Sequence, residues 1–160
     1  MFLFRKKTDG RGKLYFASFN PDLEKEILQP KVPKNFLTAG KHMDWQVKRT
    51  EMYGSVDDAL SGLLQQNLEG KLVYIYEPAG CKPESLIRPG ITAVPYTPVL
   101  REWWYCTTFR PRLVRVVQVG KQKAPDIFRY GPRQTQSKIL RWNWTDKTPG
   151  VKGFIYGRYR

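Results

Sequence analysis

Histidine and cysteine are scarce in this chain of 160 residues, and their scarcity excludes many enzyme classes. His42 is the only histidine, so His-based catalytic triads, paired-histidine metal sites and two-histidine phosphoesterase chemistry are all ruled out. Cys81 and Cys106 are the only cysteines. They lack metal-ligand spacing, and with no sign of secretion we do not expect them to form a disulfide. We therefore expect no bound metal.

Long apolar runs are also missing. No apolar stretch approaches the roughly 20 residues of a membrane-spanning helix. The first residues place their apolar side chains before their charges, unlike a secretory signal. Apolar residues nevertheless make up 41% of the chain and aromatic residues 14%, enough for one sizeable core. We expect a single cytoplasmic domain with no membrane partner.

Acidic residues are few relative to basic ones, and the net charge of +14 is concentrated near the two ends. Residues 1–13 carry five basic and one acidic side chain, and residues 121–160 carry ten and two. We therefore divide the chain into a basic N-terminal arm (1–13), a nearly neutral core (14–120) and a basic, aromatic C-terminal extension (121–160). This asymmetry favours a polyanionic partner, most often nucleic acid, over a merely solvated basic surface.

The clearest local pattern is a helix near the middle of the core. Apolar residues recur at helical spacing from Val56 to Leu64, which predicts that this face belongs to the core. Ser55 is a suitable N-cap with Asp58 in the capping-box position, and Gly70 marks the stop. Strands are predicted from β-rich composition and turn residues at 14–19, 51–53, 71–78, 101–109 and 112–120.

The order of these elements resembles that of small ADP-ribosyltransferase-fold proteins, particularly the compact rifamycin-modifying type and phage-borne relatives. The likeness rests on "LYFAS" (14–18), "EMYGSVDDAL" (51–60) and "GKLVYIYEP" (70–78), and it covers residues 14–120. It implies an α+β fold with two small, mostly antiparallel sheets around a cleft that binds NAD. It also implies a protein of phage or mobile-element origin, acting in the host cytoplasm.

Carried over by position, the resemblance implies roles for four residues. The backbone at Ala17 and the small polar Ser18 would hold the nicotinamide, on which Tyr53 would stack. Glu102 would be the catalytic acid, because a fixed carboxylate stabilises the positive charge that develops on the ribose as the glycosidic bond breaks. Glu84 competes with Glu102 for this role.

Phe16 departs from the resemblance, because the family has histidine at this position. A phenyl ring makes no conventional hydrogen bond to a ribose, which argues against ordinary transferase activity. The ring could still stack on a base or on nicotinamide and so belong to the cofactor site. Alternation in the strand 14–19, however, favours Phe16 as a core residue.

Two other site residues can also be explained by purely structural roles. Tyr53 is equally well explained as a buried strand aromatic. For Glu102, the residues themselves favour a surface carboxylate paired with Arg101 or Arg110 over a catalytic role.

The C-terminal extension suggests a second kind of site. Its cations are interleaved with aromatic rings, a combination suited to phosphate contacts and to base stacking without sequence preference. Alternatively, "ILRWNW" (139–144) is one more edge strand with packed aromatics and solvated cations. The candidate nucleic-acid-binding residues are Arg129, Arg133, Lys138, Arg141, Trp142 and Trp144.

Two functional hypotheses follow. In the first, the protein binds NAD or a related nucleotide and transfers ADP-ribose to a nucleic acid or a nucleic-acid-associated protein. In the second, it is an inactive basic protein that engages nucleic acid, a nucleic-acid-processing complex or a larger assembly. A Phe16 that lines an open cleft opposite Glu102 favours the first hypothesis, and a Phe16 packed into the core favours the second.

Overall fold

The structure is a computed structural model that describes residues 13–32, 47–87, 102–130 and 132–149. Other positions named above, namely residues 1–12, His42, Arg101 and residues 150–160, lie outside these ranges. Within them the chain forms one α-helix, two short 3-10 turns (Leu23–Lys25 and Pro83–Ser85) and seven strands. In chain order the elements are β1 (Phe16–Ser18), β2 (Thr50–Met52), α1 (Val56–Gly62), β3 (Leu72–Pro78), β4 (Leu86–Ile87), β5 (Trp103–Tyr105), β6 (Pro111–Tyr130) and β7 (Thr135–Asp146).

The strands form two antiparallel sheets. One sheet has four strands in the order β1-β3-β6-β7, and the other has three in the order β2-β5-β4. The sheets are joined where Tyr15 and Tyr53 exchange backbone hydrogen bonds of 2.7 and 2.8 Å. The expected α+β class with two small antiparallel sheets is therefore present.

The first core cluster contains buried side chains from both sheets. Phe16 of β1 and Tyr76 of β3 stack with ring centroids 5.5 Å apart, and Phe109 meets Phe16 edge-on at 5.7 Å. Such aromatic pairs stabilise a core beyond their buried area alone. The other buried members are Leu14, Leu23, Met52, Leu86, Trp103 and Tyr105.

The second core cluster joins α1 to the four-stranded sheet. Leu60 packs with alternate residues of β3 and β6, as expected when one strand face is buried. Trp142 of β7 belongs to the same cluster. Its remaining buried members are Leu68, Val73, Ile75, Val117 and Val119.

Helix α1 begins where the sequence predicts but ends early. The Ser55 side chain accepts a hydrogen bond from the backbone N–H of Asp58 at 3.1 Å, which is the expected N-cap. The helix ends at Gly62, and Leu64 has a φ of 55° and is 48% exposed. Placing Leu64 on the core face is therefore wrong, because the helical periodicity stops before reaching it.

The final two strands differ most from expectation. The strand predicted at 112–120 continues to Tyr130, and β7 then returns beside it. β6 therefore runs through residues 120 and 121 without a break, and residues 121–130 and 135–146 of the extension belong to the four-stranded sheet. "ILRWNW" lies in β7, the edge strand of that sheet.

Gly62 is the point where α1 meets Tyr53. A Cβ placed on Gly62 would lie 2.6 Å from Tyr53 Cε2, closer than real Cβ contacts. We predict that Gly62→Ala lowers the free energy of unfolding by about 1–3 kcal/mol, because the ring must shift to make room. Urea titration followed by circular dichroism measures this.

Gly54→Ala is the matched control. A Cβ at Gly54 meets nothing within 4 Å, so this substitution should leave the urea midpoint nearly unchanged. Equal effects of the two substitutions would show that the close approach to Tyr53 is unimportant.

Candidate functional site

One face of the three-stranded sheet carries a buried ionisable cluster. Side chains along a strand alternate between faces, so Arg49, Glu51 and Tyr53 share one face around β2. Glu51 is paired in register with Trp104 of β5, and Glu102, two residues earlier, lies on the same face as Trp104. The opposite face supplies the first core cluster.

Glu102 is the most deeply enclosed carboxyl group in the described ranges, at 1% exposed. Oε1 accepts a hydrogen bond from the Tyr53 hydroxyl at 2.9 Å, and Oε2 accepts one from Trp104 Nε1 at 2.7 Å. Burial, and then the nearby charge of Glu51, raise the pKa of Glu102 to about 7 despite these hydrogen bonds. The carboxyl group therefore changes protonation near neutral pH.

Arg49 and Glu51 complete the cluster. Arg49 Nη2 lies 3.3 Å from Glu51 Oε2, Nη1 donates to the Val47 carbonyl at 3.0 Å, and the guanidinium carbon is 3.9 Å from the Trp104 ring centroid. Burial raises the pKa of Glu51 even though Arg49 and a hydrogen bond with Glu102 act in the other direction. Within the cluster one arginine faces two carboxyl groups, so the pair titrates as a unit and holds a proton above the usual carboxyl range.

The Glu102 carboxyl group is suited to acid–base chemistry, but in this structure a substrate has no open path to it. A carboxyl group with a pKa near 7 is suited to general acid–base chemistry. Both oxygens of Glu102, however, already accept hydrogen bonds, and the side chain is almost fully buried. A substrate would reach Glu102 only after Tyr53 or its neighbours move.

The fold brings together only some of the site residues that the resemblance implies. Tyr53 and Glu102 are in direct contact, and Ala17 packs against the cluster that contains Tyr53. Phe16 is only 8% exposed and lies in the first core cluster with Trp103, on the other face from Glu102. The Ser18 hydroxyl accepts a hydrogen bond from the backbone N–H of Asn20 at 3.0 Å.

The structure also shows the surroundings of the two candidate acidic residues. Glu102 is buried, so its interpretation as a surface carboxylate is wrong: its partners are Tyr53 and Trp104, and the sheet face encloses it. Glu84 lies exposed in the second 3-10 turn.

The candidate nucleic-acid residues fall into two groups. Arg129, Arg133 and Lys138 are exposed. The other three are tied to the body of the protein. Arg141 is paired with Asp58 at 2.7 Å and Asp126 at 2.8 Å, Trp142 is 4% exposed, and half-buried Trp144 donates from Nε1 to Asp57 Oδ1 at 2.8 Å.

Three members of the ionisable cluster were missed from the sequence: Arg49, Glu51 and Trp104. The alternation Arg49-x-Glu51-x-Tyr53 around a predicted strand was an available signal that these side chains share a face. Their meeting with Glu102 and Trp104 depends on the pairing of β2 with β5, which no local pattern specifies.

No protein-family model, curated protein or solved structure matches this chain. Within the described ranges, no helix is long and apolar enough to cross a membrane. Among those same residues, no group of three or more His, Cys, Asp and Glu side chains is arranged to hold a metal ion.

The buried carboxyl pair predicts a specific pH dependence of stability. Between the ordinary carboxyl pKa of 4.5 and about 7, folded Glu102 keeps a proton that the unfolded chain has released. The free energy of unfolding should therefore fall as pH rises through this range, by up to about 3 kcal/mol, and then level off. Urea titrations at a series of pH values measure it.

Glu102→Gln should flatten this profile, because an amide has no proton to lose over this range. Glu84→Gln, at an exposed carboxyl, should retain the wild-type profile. A wild-type stability that is constant between about pH 5 and pH 8 would contradict the buried protonated carboxyl.

Proposed function

We propose that the protein binds nucleic acid through the β6–β7 ribbon, defined as residues 121–130 and 132–144. The observation that carries this proposal is the exposed basic face of the ribbon. From Gln122 to Tyr130, β7 is the only strand paired with β6 in the part of the chain that the structure describes. This segment therefore extends beyond the region where β3 covers the edge of β6.

The ribbon has two different faces. Ile139 forms a small buried cluster with Tyr53 and Ala59, and Phe128 packs against that cluster. The register places Ile127 opposite Lys138 and Arg129 opposite Gln136, and all four of these side chains are exposed. Apolar packing thus fixes one face and leaves a basic face toward solvent.

The charge on the ribbon is strongly one-sided. Residues 121–144 contain six basic side chains and one acidic side chain. That acid, Asp126, is paired with Arg141, which also binds Asp58. Five exposed cations are left for other contacts: Lys121, Lys123, Arg129, Arg133 and Lys138. Exposed cations attract phosphates without reading sequence.

The position of Phe16 supports this function over nucleotide chemistry. Its ring is held by Tyr76 and Phe109 in the core and lines no cleft shared with Glu102. A packed Phe16 is the arrangement expected of a binding protein that lacks the family histidine.

The proposal predicts a salt-dependent affinity that the ribbon cations control. The triple variant Arg129→Gln, Arg133→Gln, Lys138→Gln should weaken binding of a fluorescent oligonucleotide. It should also lower the slope of log affinity against log salt by about 2. The physical reason is that fewer counterions are released when fewer phosphates are neutralised. Fluorescence anisotropy over a salt series measures both quantities.

A second triple variant controls for net charge alone. Lys25→Gln, Lys31→Gln, Lys82→Gln removes three exposed cations that lie outside the ribbon. It should keep nearly the wild-type slope. Equal losses in the two triple variants would contradict a specific ribbon interface, and an absence of binding to any strand would overturn the proposal.

A second candidate function, transfer of ADP-ribose from NAD, is favoured by one observation. The two residues that the resemblance assigns to stacking and to charge stabilisation, Tyr53 and Glu102, are 2.9 Å apart. Under this proposal the ionised Glu102 stabilises the ribosyl cation after Tyr53 has moved from its present contact.

This candidate predicts nicotinamide release from NAD in the presence of a nucleic-acid or protein acceptor. Glu102→Gln should abolish the release, since an amide cannot supply the stabilising charge. Glu84→Gln should retain it. Chromatography of nicotinamide and the mass of the acceptor are the measurements. Absence of both NAD binding and turnover in the wild type would remove this candidate.

A further inference from the structure

A second site lies apart from the buried ionisable cluster, beside the start of α1. It is a cavity of about 430 Å³, within the range of about 300–1,000 Å³ that is usual for small-ligand sites. Its walls come from the turn before α1, the first residues of α1, the segment leading into β1, and the two longest strands. The lining residues are Tyr15, Gly54, Ser55, Val56, Asp57, Arg115, Trp144 and Asp146.

We propose that this base cavity, as we name it, receives one unpaired nucleobase. Tyr15 and Trp144 supply aromatic walls on which a planar ring can stack, and both are only partly buried. The Trp144 ring is held in place, because its Nε1 donates to Asp57 Oδ1 at 2.8 Å. A wall that is already ordered loses little conformational freedom when a ligand binds.

The polar lining favours bases that carry an amino group. Asp57 and Asp146 are hydrogen-bond acceptors when ionised. Asp146 Oδ2 accepts from Arg115 Nη1 at 2.8 Å, and Oδ1 accepts from Thr148. Burial acts to raise the pKa of Asp146, but these hydrogen bonds and the charge of Arg115 outweigh it and lower the pKa, so the carboxylate is ionised at neutral pH. Adenine, cytosine and guanine have exocyclic amino donors for such acceptors, whereas thymine and uracil do not.

Arg115 completes the match to a nucleotide. Its side chain is 43% exposed and borders the cavity, so the phosphate of the nucleotide that carries the bound base can approach the guanidinium from solvent. An arginine next to a stacking platform is the usual combination in proteins that hold single strands.

The cavity and the ribbon share β7. Lys138 lies near one end of this strand and Trp144 near the other, so a strand bound along the ribbon could place a base in the cavity. This source of the base rests on the proposed nucleic-acid function. A free nucleotide offers the same ring, amino group and phosphate, and the experiment distinguishes the two sources.

Gly54→Leu is the variant that closes the cavity without removing a charge. Gly54 lines the cavity, and a Cβ there meets nothing within 4 Å. It is not one of the described glycines with positive φ, so the backbone accepts a side chain. Gln66→Leu, which adds the same side chain at an exposed position after α1, is the control.

The first arm compares two strands of about 12 nucleotides with equal phosphate number, one of deoxycytidine and one abasic. The wild type should bind the base-bearing strand about tenfold more tightly. Gly54→Leu should remove this preference and keep the salt slope, and Gln66→Leu should change neither.

Asp57→Asn tests the cavity in a second way. This variant should reduce the preference for deoxycytidine strands over thymidine strands, and it replaces Gly54→Leu as the test if Gly54→Leu fails to fold.

The second arm titrates AMP and follows the indole N–H resonance of Trp144 by NMR. A shift in the wild type that is absent in Gly54→Leu supports the cavity with a free nucleotide as its source. Equal affinity for the two strands, with no AMP-dependent shift, overturns the base cavity while leaving the ribbon proposal intact. If neither strand binds, the ribbon proposal fails, and the AMP arm alone decides the cavity in either direction.

Discussion

The structure depends on Tyr53, which connects three parts of the protein through different kinds of contact. Its backbone pairs with Tyr15 and so joins the two sheets. Its ring occupies the space left by the missing side chain of Gly62 and thereby sets how closely α1 approaches. Its hydroxyl donates to the buried Glu102. A change in any of these contacts would be felt by both sheets, because interiors are close-packed and transmit displacement.

The ionisable cluster around Glu102 makes this junction depend on protonation. Removing a carboxylate from water is costly, and one buried arginine cannot neutralise two carboxylates. Holding a proton near neutral pH avoids part of that cost, and Tyr53 and Trp104 satisfy the oxygens. The cluster therefore supports the junction of the two sheets and also holds the two residues, Tyr53 and Glu102, to which the second candidate function assigns chemistry.

The proposed binding surfaces lie on the other sheet, where β6 and β7 perform two tasks. Alternate residues of β6 close the core against α1, while the distal part of the β6–β7 ribbon exposes most of its cations. Near the start of α1, Asp58 forms an ion pair with Arg141, and Asp57 accepts the hydrogen bond that orients Trp144. Charge pairing thus fixes the inner side of the ribbon and leaves its outer side exposed, and it is to this exposed side and to the cavity that we assign the proposed contacts with phosphates and bases.

Local patterns in the sequence were sufficient for the Ser55 cap, the start of α1, the strands near Phe16, Glu51 and Val73, and the concentration of basic charge after residue 120. These depend on periodicity, capping and composition, which neighbours along the chain already express. The early end of α1, the burial of Glu102 and the joining of residues 121–146 to the main sheet depended on the tertiary structure. Each arises from strand pairing or from packing between residues far apart in sequence, such as Tyr53 with Glu102 and Trp142 with Leu60. The helix and strand propensities of neighbouring residues do not specify such contacts between distant residues.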